Sequence, residues 1–257
     1  MPHVRIRGGG DQRWSFLLRL QTLRDDFAKY HRRVNTARIA KVFAALPRLV
    51  GRKFQATAVD RDEKSAGLRE AFRLLSLARV VTPVHRTAAA GIPLAAQVDE
   101  RYQKVCMLDT GLYAAATGLD AAMVAENRDL ILVNQGQLAE QWVGQELRAA
   151  RPFNQEPALY TWVRETKNSN AEVDYVLQVG GRVVPIEVKA GASGRLRSLH
   201  VFVREKKVGL GVRISSAALS LHEVETAIPG GHQRRFRLLS VPFYLAGELP
   251  RLIAEAA

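Results

Sequence analysis

The sequence predicts a mixed α/β protein of two domains. Residues 1–118 carry apolar residues at helical spacing, whereas residues 119–257 alternate helical segments with extended runs rich in β-branched residues. A hydrophobic content of 47% and a charged content of 25% are typical of globular chains that bury a core. We therefore predict a helical N-terminal domain over 1–118 and a mixed sheet flanked by helices over 119–257.

Two amphipathic helices are expected in the first domain. One has Thr36 as its expected cap and should end at Pro47, because proline cannot continue the hydrogen-bond ladder, and the other follows Ser65. Each has an apolar stripe at i, i+3, i+4 and i+7 spacing. The stripe residues are Ile39, Val42, Phe43 and Leu46 in the first helix and Leu68, Ala71, Phe72 and Leu75 in the second.

A β-hairpin should follow these helices. Residues 80–84 and 105–108 are apolar and extended, and residues 88–91 between them form a small-residue tip. Helices followed by a hairpin indicate a winged helix, which often docks on duplex DNA but also serves in protein contacts or as a rigid spacer.

The net charge of +13 is concentrated in the first domain. Residues 1–110 hold 21 Lys and Arg against 10 Asp and Glu, whereas the remainder holds 17 against 15. A regional basic surplus favours a polyanionic partner, because neutralising phosphates releases condensed counterions. It is equally typical of a solvated basic surface. DNA is the partner that we expect.

A tight hairpin is predicted in the second domain around the Gly-Gly turn at residues 180–181. If the turn has two residues, Val179 pairs with Arg182, and the same register places Asp174 opposite Glu187. Directly opposed side chains share a face of the sheet with Cβ atoms about 4.5–5.5 Å apart. The sequence therefore predicts two carboxylates in contact.

Lys189 joins these carboxylates on the same face, because side chains alternate along a strand. Opposed carboxylates next to an apolar run, VVPIEV, need compensation, which a divalent cation such as Mg²⁺ or Mn²⁺ would supply. The lysine could then orient an attacking water while the metal stabilises charge on a phosphate. The alternative is that Asp174 pairs with Lys189 and Glu187 is merely solvated.

A helix predicted from Gly136 to Ala150 offers a further acid. Glu140 lies on its apolar stripe and is the expected third metal ligand, whereas Glu146 should face solvent or form an ion pair. Glu172 shares the strand face of Asp174 and is either another ligand or an ordinary hairpin residue.

Other motifs indicate what the chain should not do. Its single cysteine, Cys106, excludes an internal disulfide, and we expect it to be a buried small residue. One Asp109-Thr110-Gly111 turn does not make an aspartic protease, so Asp109 is expected to cap a helix. The motif G-x-x-x-x-G-K-[S/T] is missing, so we expect no ATP site in this chain. With neither a signal peptide nor an apolar span, we expect a cytoplasmic protein away from membranes.

Several segments resemble the C-terminal region of a family of prokaryotic predicted AAA-type ATPases. They are LRDDFAKY, VNTARIAKVFAALP, GIPLAAQV, CMLDTGL, GQLAEQWVGQEL, AEVDYV and PIEVKAG. In that family a P-loop module precedes a winged helix and a domain of unknown function similar to PD-(D/E)XK nucleases. The resemblance runs from about Leu20 to the C-terminal SVPFYLAGELPRLI, so the chain is expected to derive from a longer ATPase without its P-loop module.

The resemblance implies roles for the same residues. Asp174 and Glu187 match the acidic positions of the nuclease superfamily, Lys189 its lysine, and Glu140 the acid of its leading helix. Val173 stands where the superfamily often has proline. We therefore expect a Mg²⁺- or Mn²⁺-dependent endonuclease-like domain acting on DNA.

Two alternatives remain. The chain is a non-catalytic DNA-binding or regulatory module left after loss of the ATPase domain, or it is an interaction module. As an interaction module it would contact a separate P-loop ATPase or a second copy of itself as a homo-oligomer.

Overall fold

The predicted α/β class is confirmed by the computed structural model. It describes residues 10–28, 35–119, 135–152, 154–156, 158–164, 170–191, 194–227 and 233–256. These ranges form eight α-helices and two mixed sheets. The helices are α1 (Gly10–Ala28), α2 (Thr36–Leu49), α3 (Ala56–Val59), α4 (Ser65–Leu77), α5 (Thr110–Thr117), α6 (Gln135–Ala149), α7 (Arg197–Lys206) and α8 (Leu249–Glu255). The strands are β1 (Val81–Thr87), β2 (Val98–Met107), β3 (Leu159–Arg164), β4 (Ala171–Val173), β5 (Tyr175–Val179), β6 (Arg182–Val188), β7 (Leu210–Ser215), β8 (Ser220–Glu225) and β9 (Arg235–Pro242).

Helices α2 and α4 bury the predicted stripes against each other and against the start of the hairpin. The N-cap of α2 is Asn35 rather than the predicted Thr36, and its side chain accepts a hydrogen bond from the backbone N–H of Arg38 at 3.1 Å. The predicted end at Pro47 was wrong, because the helix continues to Leu49. Proline has a fixed φ in the helical range, so the chain can continue through Pro47 at the cost of the hydrogen bond that its missing N–H would have made.

The hairpin of β1 and β2 is antiparallel and joins the two halves of the chain. Its tip is longer than predicted, covering residues 88–97 with a 3₁₀ turn at Leu94–Gln97. Strand β1 also pairs in parallel with β3, so the four-stranded sheet has the order β2-β1-β3-β4. Strands from both sides of the predicted boundary at residue 118 therefore share one sheet.

The five-stranded sheet has the order β5-β6-β7-β9-β8, with antiparallel edges and a parallel centre. Side chains alternate between its faces. Ile186, Val212 and Val241 pack against α6 and α8 on one face, whereas α7 packs with Val176 and Leu238 on the other. The sheet is therefore covered on both sides.

Cys106 is buried in β2, and Asp109 caps α5 by accepting a hydrogen bond from the N–H of Leu112 at 3.0 Å, as predicted. The polar segment TKNSN at residues 166–170 predicts a loop, and it lies outside the described residues except for Asn170. Across the described ranges, no helix is both long enough and apolar enough to cross a membrane.

Helix α6 approaches the sheet closely at Gly144. A Cβ added there would lie 2.5 Å from Tyr175 Oη and 2.9 Å from Cys106 Sγ, whereas one added at Gly136 of the same helix would meet nothing within 4 Å. We expect Gly144→Ala to destabilise the fold by about 1–3 kcal/mol through overpacking. Gly136→Ala should leave stability unchanged or raise it by up to about 1 kcal/mol.

Urea unfolding of the two variants beside wild type measures this difference. Equal midpoints for the two variants would contradict the close packing of α6 on β5.

Candidate active site

The predicted site residues lie together at one end of the five-stranded sheet. Asp174 lies between β4 and β5, Glu187 is the second last residue of β6, and Lys189 follows that strand. Glu140 comes from α6. A cleft of about 320 Å³ opens there, and its lining includes Glu140, Asp174, Lys189 and the loop residue Gly51.

Asp174 sits where the chain passes from one sheet to the other. The predicted register is confirmed up to Tyr175, which pairs with Ile186. Asp174 itself is a bend rather than a paired residue, since β4 joins the four-stranded sheet and β5 the five-stranded one. Its Oδ2 accepts a hydrogen bond from the backbone N–H of Val188 at 2.7 Å. This bond fixes the carboxylate beside the end of β6.

Glu187 and Lys189 form an ion pair. Lys189 Nζ donates to Glu187 Oε1 at 2.6 Å, and Glu187 is only 5% exposed. Glu187 Oε2 is buried and has no hydrogen-bond partner within the described chain. The alternative of a solvated Glu187 with an Asp174–Lys189 pair is therefore wrong, because the lysine pairs with the glutamate and the glutamate is buried.

Glu140 is held by a residue that the sequence did not single out. Lys104 of β2 is 1% exposed, and its ammonium pairs with Glu140 Oε1 and, at 2.7 Å, with Glu172 Oε1. The phenol of Tyr175 donates to the backbone carbonyl of Glu140 at 2.8 Å. Two strands thus fix the part of α6 that carries Glu140.

The loop after α2 closes over Glu140. Gly51 has φ +70, and a Cβ there would lie 2.6 Å from Glu140 Oε2. Its N–H donates to the carbonyl of Val105 at 2.9 Å. The left-handed conformation and the close approach both require glycine at this position.

Burial dominates the electrostatics of the site. It raises the pKa of Glu187 to about 7, with the nearby charge of Asp174 adding to the rise and Lys189 opposing it. Burial also raises the pKa of Asp174 and, against the pull of Lys104, that of Glu140 to about 8. For Lys104, burial opposes the charged form, but the carboxylates of Glu140, Asp174 and Glu172 outweigh it and raise its pKa.

The two other acids considered from the sequence, Glu146 and Glu172, do not line this cleft. Glu146 of α6 reaches Gly247 instead. Glu172 is the more exposed partner of Lys104, with 41% of its side chain accessible. Neither residue lines the cleft at Asp174.

One feature of the sequence could have indicated the buried ion pair of Lys104. This lysine lies in the apolar run KVCM and shares a strand face with Tyr102 and Cys106, which are both buried. A lysine on a buried face needs a partner, because burying an unpaired charge is costly. Spacing alone did not indicate which acid that partner is.

Asp174 and Glu187 are the residues that fit a divalent metal. Asp174 lies in the bend before β5 and Glu187 lies on β6, and Glu187 Oε2 is a buried acceptor without a partner among the described residues. Glu140 already contacts Lys104 through one oxygen. Among the described residues, no three His, Cys, Asp or Glu side chains are grouped closely enough to hold a metal ion by themselves. Mg²⁺ typically takes one or two carboxylates and completes its shell with water and substrate phosphate.

Removing Lys104 should destabilise the protein strongly. Lys104→Ala leaves Glu140 buried without its partner, for which we expect a loss of about 3–5 kcal/mol in the free energy of unfolding. The double variant Lys104→Met with Glu140→Gln should recover much of this loss, because both charges of the buried pair are removed together. Lys41→Ala removes an exposed pair with Asp60 of 2.6 Å and should change little. Equal losses from Lys104→Ala and Lys41→Ala would refute the buried network.

The raised pKa of Glu187 gives a pH dependence of known sign. A carboxyl whose folded pKa lies above its unfolded value of 4.5 loses its stabilising contribution as pH rises through the folded pKa. The protein should therefore lose stability between about pH 4.5 and about pH 7, and Glu187→Gln should reduce that loss. Urea midpoints across this range measure it, with the exposed Glu156→Gln as a control. Parallel pH profiles for wild type and Glu187→Gln would argue against the buried, unsatisfied carboxylate.

Comparisons with known proteins match two segments of the chain. Residues 135–232 match a domain of unknown function (DUF4143), which occurs in C-terminal regions associated with AAA-type ATPases. Residues 5–122 match another domain of unknown function (DUF8612). No curated protein and no solved structure matches the chain significantly. The matched residues 135–232 include all four of the predicted site residues.

Proposed function

We propose that this protein is a metal-dependent nuclease-like domain that acts on DNA. The observation that carries the proposal is that Asp174 and Lys189 line one cleft, while Glu187, which pairs with Lys189, keeps a buried oxygen that has no partner in the described chain. Carboxylates that lack compensation in a buried site favour a cation. Lysine beside such a pair suits chemistry on phosphate.

The order of the elements supports a PD-(D/E)XK-like core. Helix α6 precedes the antiparallel pair β5–β6, helix α7 follows, and β7 then adds in parallel to β6. Asp174 and Glu187 stand at the same end of the β5–β6 pair. The resemblance of GQLAEQWVGQEL, AEVDYV and PIEVKAG to the C-terminal region of predicted ATPases assigns the same residues.

The first domain supports DNA as the substrate. Helices α2, α3 and α4 followed by the β1–β2 hairpin have the element order of a winged helix. The basic surplus lies in the same part of the chain. Gly51 and Arg52 of this part line the cleft that holds Asp174, so the two halves meet at the site.

Each residue would have a separate role. Asp174 and Glu187 would hold Mg²⁺ or Mn²⁺, and the backbone N–H of Val188 keeps Asp174 in place. A bound metal supplies charge stabilisation on the phosphate and acidifies its water. Lys189 Nζ would donate a hydrogen bond to the attacking water in place of Glu187 Oε1. Lys104 would position Glu140, the third predicted ligand, through its ion pair.

A specific observation favours a second candidate, a non-catalytic DNA-binding module. Lys104 and Lys189 already pair with Glu140, Glu172 and Glu187, so much of the acidic charge is balanced within the chain. In that case Lys189→Ala would leave function unchanged, and DNA binding would still weaken steeply with salt.

DNA cleavage with and without divalent metal separates these candidates. We expect wild type to cut DNA with Mg²⁺ or Mn²⁺ and not with EDTA, and Lys189→Ala to reduce the rate by about 10²-fold or more, in the range typical of acid–base and positioning groups. DNA affinity should stay near the wild-type value.

Lys206→Ala is the matched control, because this lysine lies on α7 beside Trp162 and outside the cleft. Equal cleavage by wild type and Lys189→Ala would end the catalytic proposal in favour of the second candidate.

A further inference from the structure

A second cleft, of about 550 Å³, lies between α4 and the β1–β2 hairpin. Arg69, Arg73 and Ser76 line it from one face of α4, since they are spaced at i, i+4 and i+7. His85 and Gln103, which are paired across the hairpin, line the opposite wall. The cleft thus has one helical wall and one sheet wall.

The charge of this cleft is positive. Arg69, Arg73 and Arg101 line it together with one acid, Glu100. Arg73 is paired with Glu70 at 2.7 Å, whereas Arg69 and Arg101 are exposed and have no ion-pair partner in the ranges that the structure describes. Guanidinium groups of this kind bind phosphate through paired hydrogen bonds.

An aromatic ring lies beside these arginines. Phe54 lines the cleft and is half-buried, and its ring stacks on Phe72 with a centroid distance of 4.2 Å. Since Phe72 is buried, the stack is anchored in the core. Opposite, His85 Nδ1 has no hydrogen-bond partner among the described residues. The cleft therefore combines exposed arginines with an aromatic platform.

We infer that this cleft binds an unpaired nucleotide of a nucleic-acid strand, with the base against Phe54 and the phosphates at Arg69 and Arg101. Stacking on an aromatic side chain requires a base whose face is free, which single strands offer and duplexes hide. The inference rests on the proposed function, from which it takes nucleic acid as the ligand. It goes beyond that function by naming an unpaired strand as the substrate.

The cleft lies next to the acidic site. Phe54 lines this second cleft, and Arg52 lines the cleft that holds Asp174. Because the two residues are two positions apart in the chain, their Cα atoms are at most about 7 Å apart. The N–H of Phe54 donates to the carbonyl of Gln103 at 2.7 Å, and the neighbouring Lys104 belongs to the acidic site. A nucleic-acid strand that passes over residues 52–54 would reach both clefts.

Binding of a labelled oligothymidylate strand and of a matched duplex tests the inference by fluorescence anisotropy. With EDTA present, no metal-dependent cleavage intervenes. We expect the single strand to bind more tightly than the duplex, and Phe54→Leu to weaken single-strand binding about tenfold without changing duplex binding. Arg69→Ala and Arg101→Ala should each lower the slope of log affinity against log salt by about 0.7.

Arg235→Ala is the matched control, because this exposed arginine on β9 pairs with Glu225 away from the cleft. The two arginine variants change exposed side chains, so they test the cleft even if Phe54→Leu impairs folding. If the duplex binds more tightly than the single strand and Phe54→Leu changes neither affinity, the inference is overturned in favour of duplex recognition. Equal losses of single-strand affinity in Arg69→Ala and Arg235→Ala would show unspecific charge attraction and would also overturn it. Neither result affects the cleavage test with Lys189→Ala, because that test measures a metal-dependent rate. An absence of cleavage would likewise leave the binding result unchanged.

Discussion

The buried ammonium of Lys104 is the constraint on which the site depends. A lysine that is 1% exposed is tolerated only with carboxylate partners, and here these come from α6 and β4. Lys104 itself belongs to β2, on the other side of the predicted boundary at residue 118. The acidic site is therefore assembled by both halves of the chain, which also share the four-stranded sheet. The division into domains 1–118 and 119–257 stays a prediction, and any true boundary would have to cross this shared sheet.

The ion pairs divide the acidic cluster into two parts. Glu140 and Glu172 share the ammonium of Lys104, whereas Asp174 accepts a backbone N–H bond and Glu187 keeps one oxygen without a partner among the described residues. A divalent cation would relieve the second part without disturbing the first. This division makes Asp174 and Glu187 the stronger of the predicted ligands and gives Glu140 a structural partner beside its proposed role.

Much of this arrangement could be predicted because it depends on local periodicity. The Gly-Gly turn at 180–181 set the register of β5 and β6, and strand alternation put Lys189 beside Glu187. The break at Asp174 was not predictable, because it depends on β4 pairing with β3 in another sheet. The role of Lys104 likewise depends on contacts between residues 36 and 68 positions apart in the chain, which spacing does not reveal.

The most direct test of the central claim is the anomalous scattering of a crystal soaked in Mn²⁺. The proposed function predicts a metal peak between Asp174 and Glu187, with metal–oxygen distances of about 2.1 Å and with Lys189 moved away from Glu187 Oε1. A crystal without metal at these carboxylates, in which Lys189 still pairs with Glu187, would contradict it.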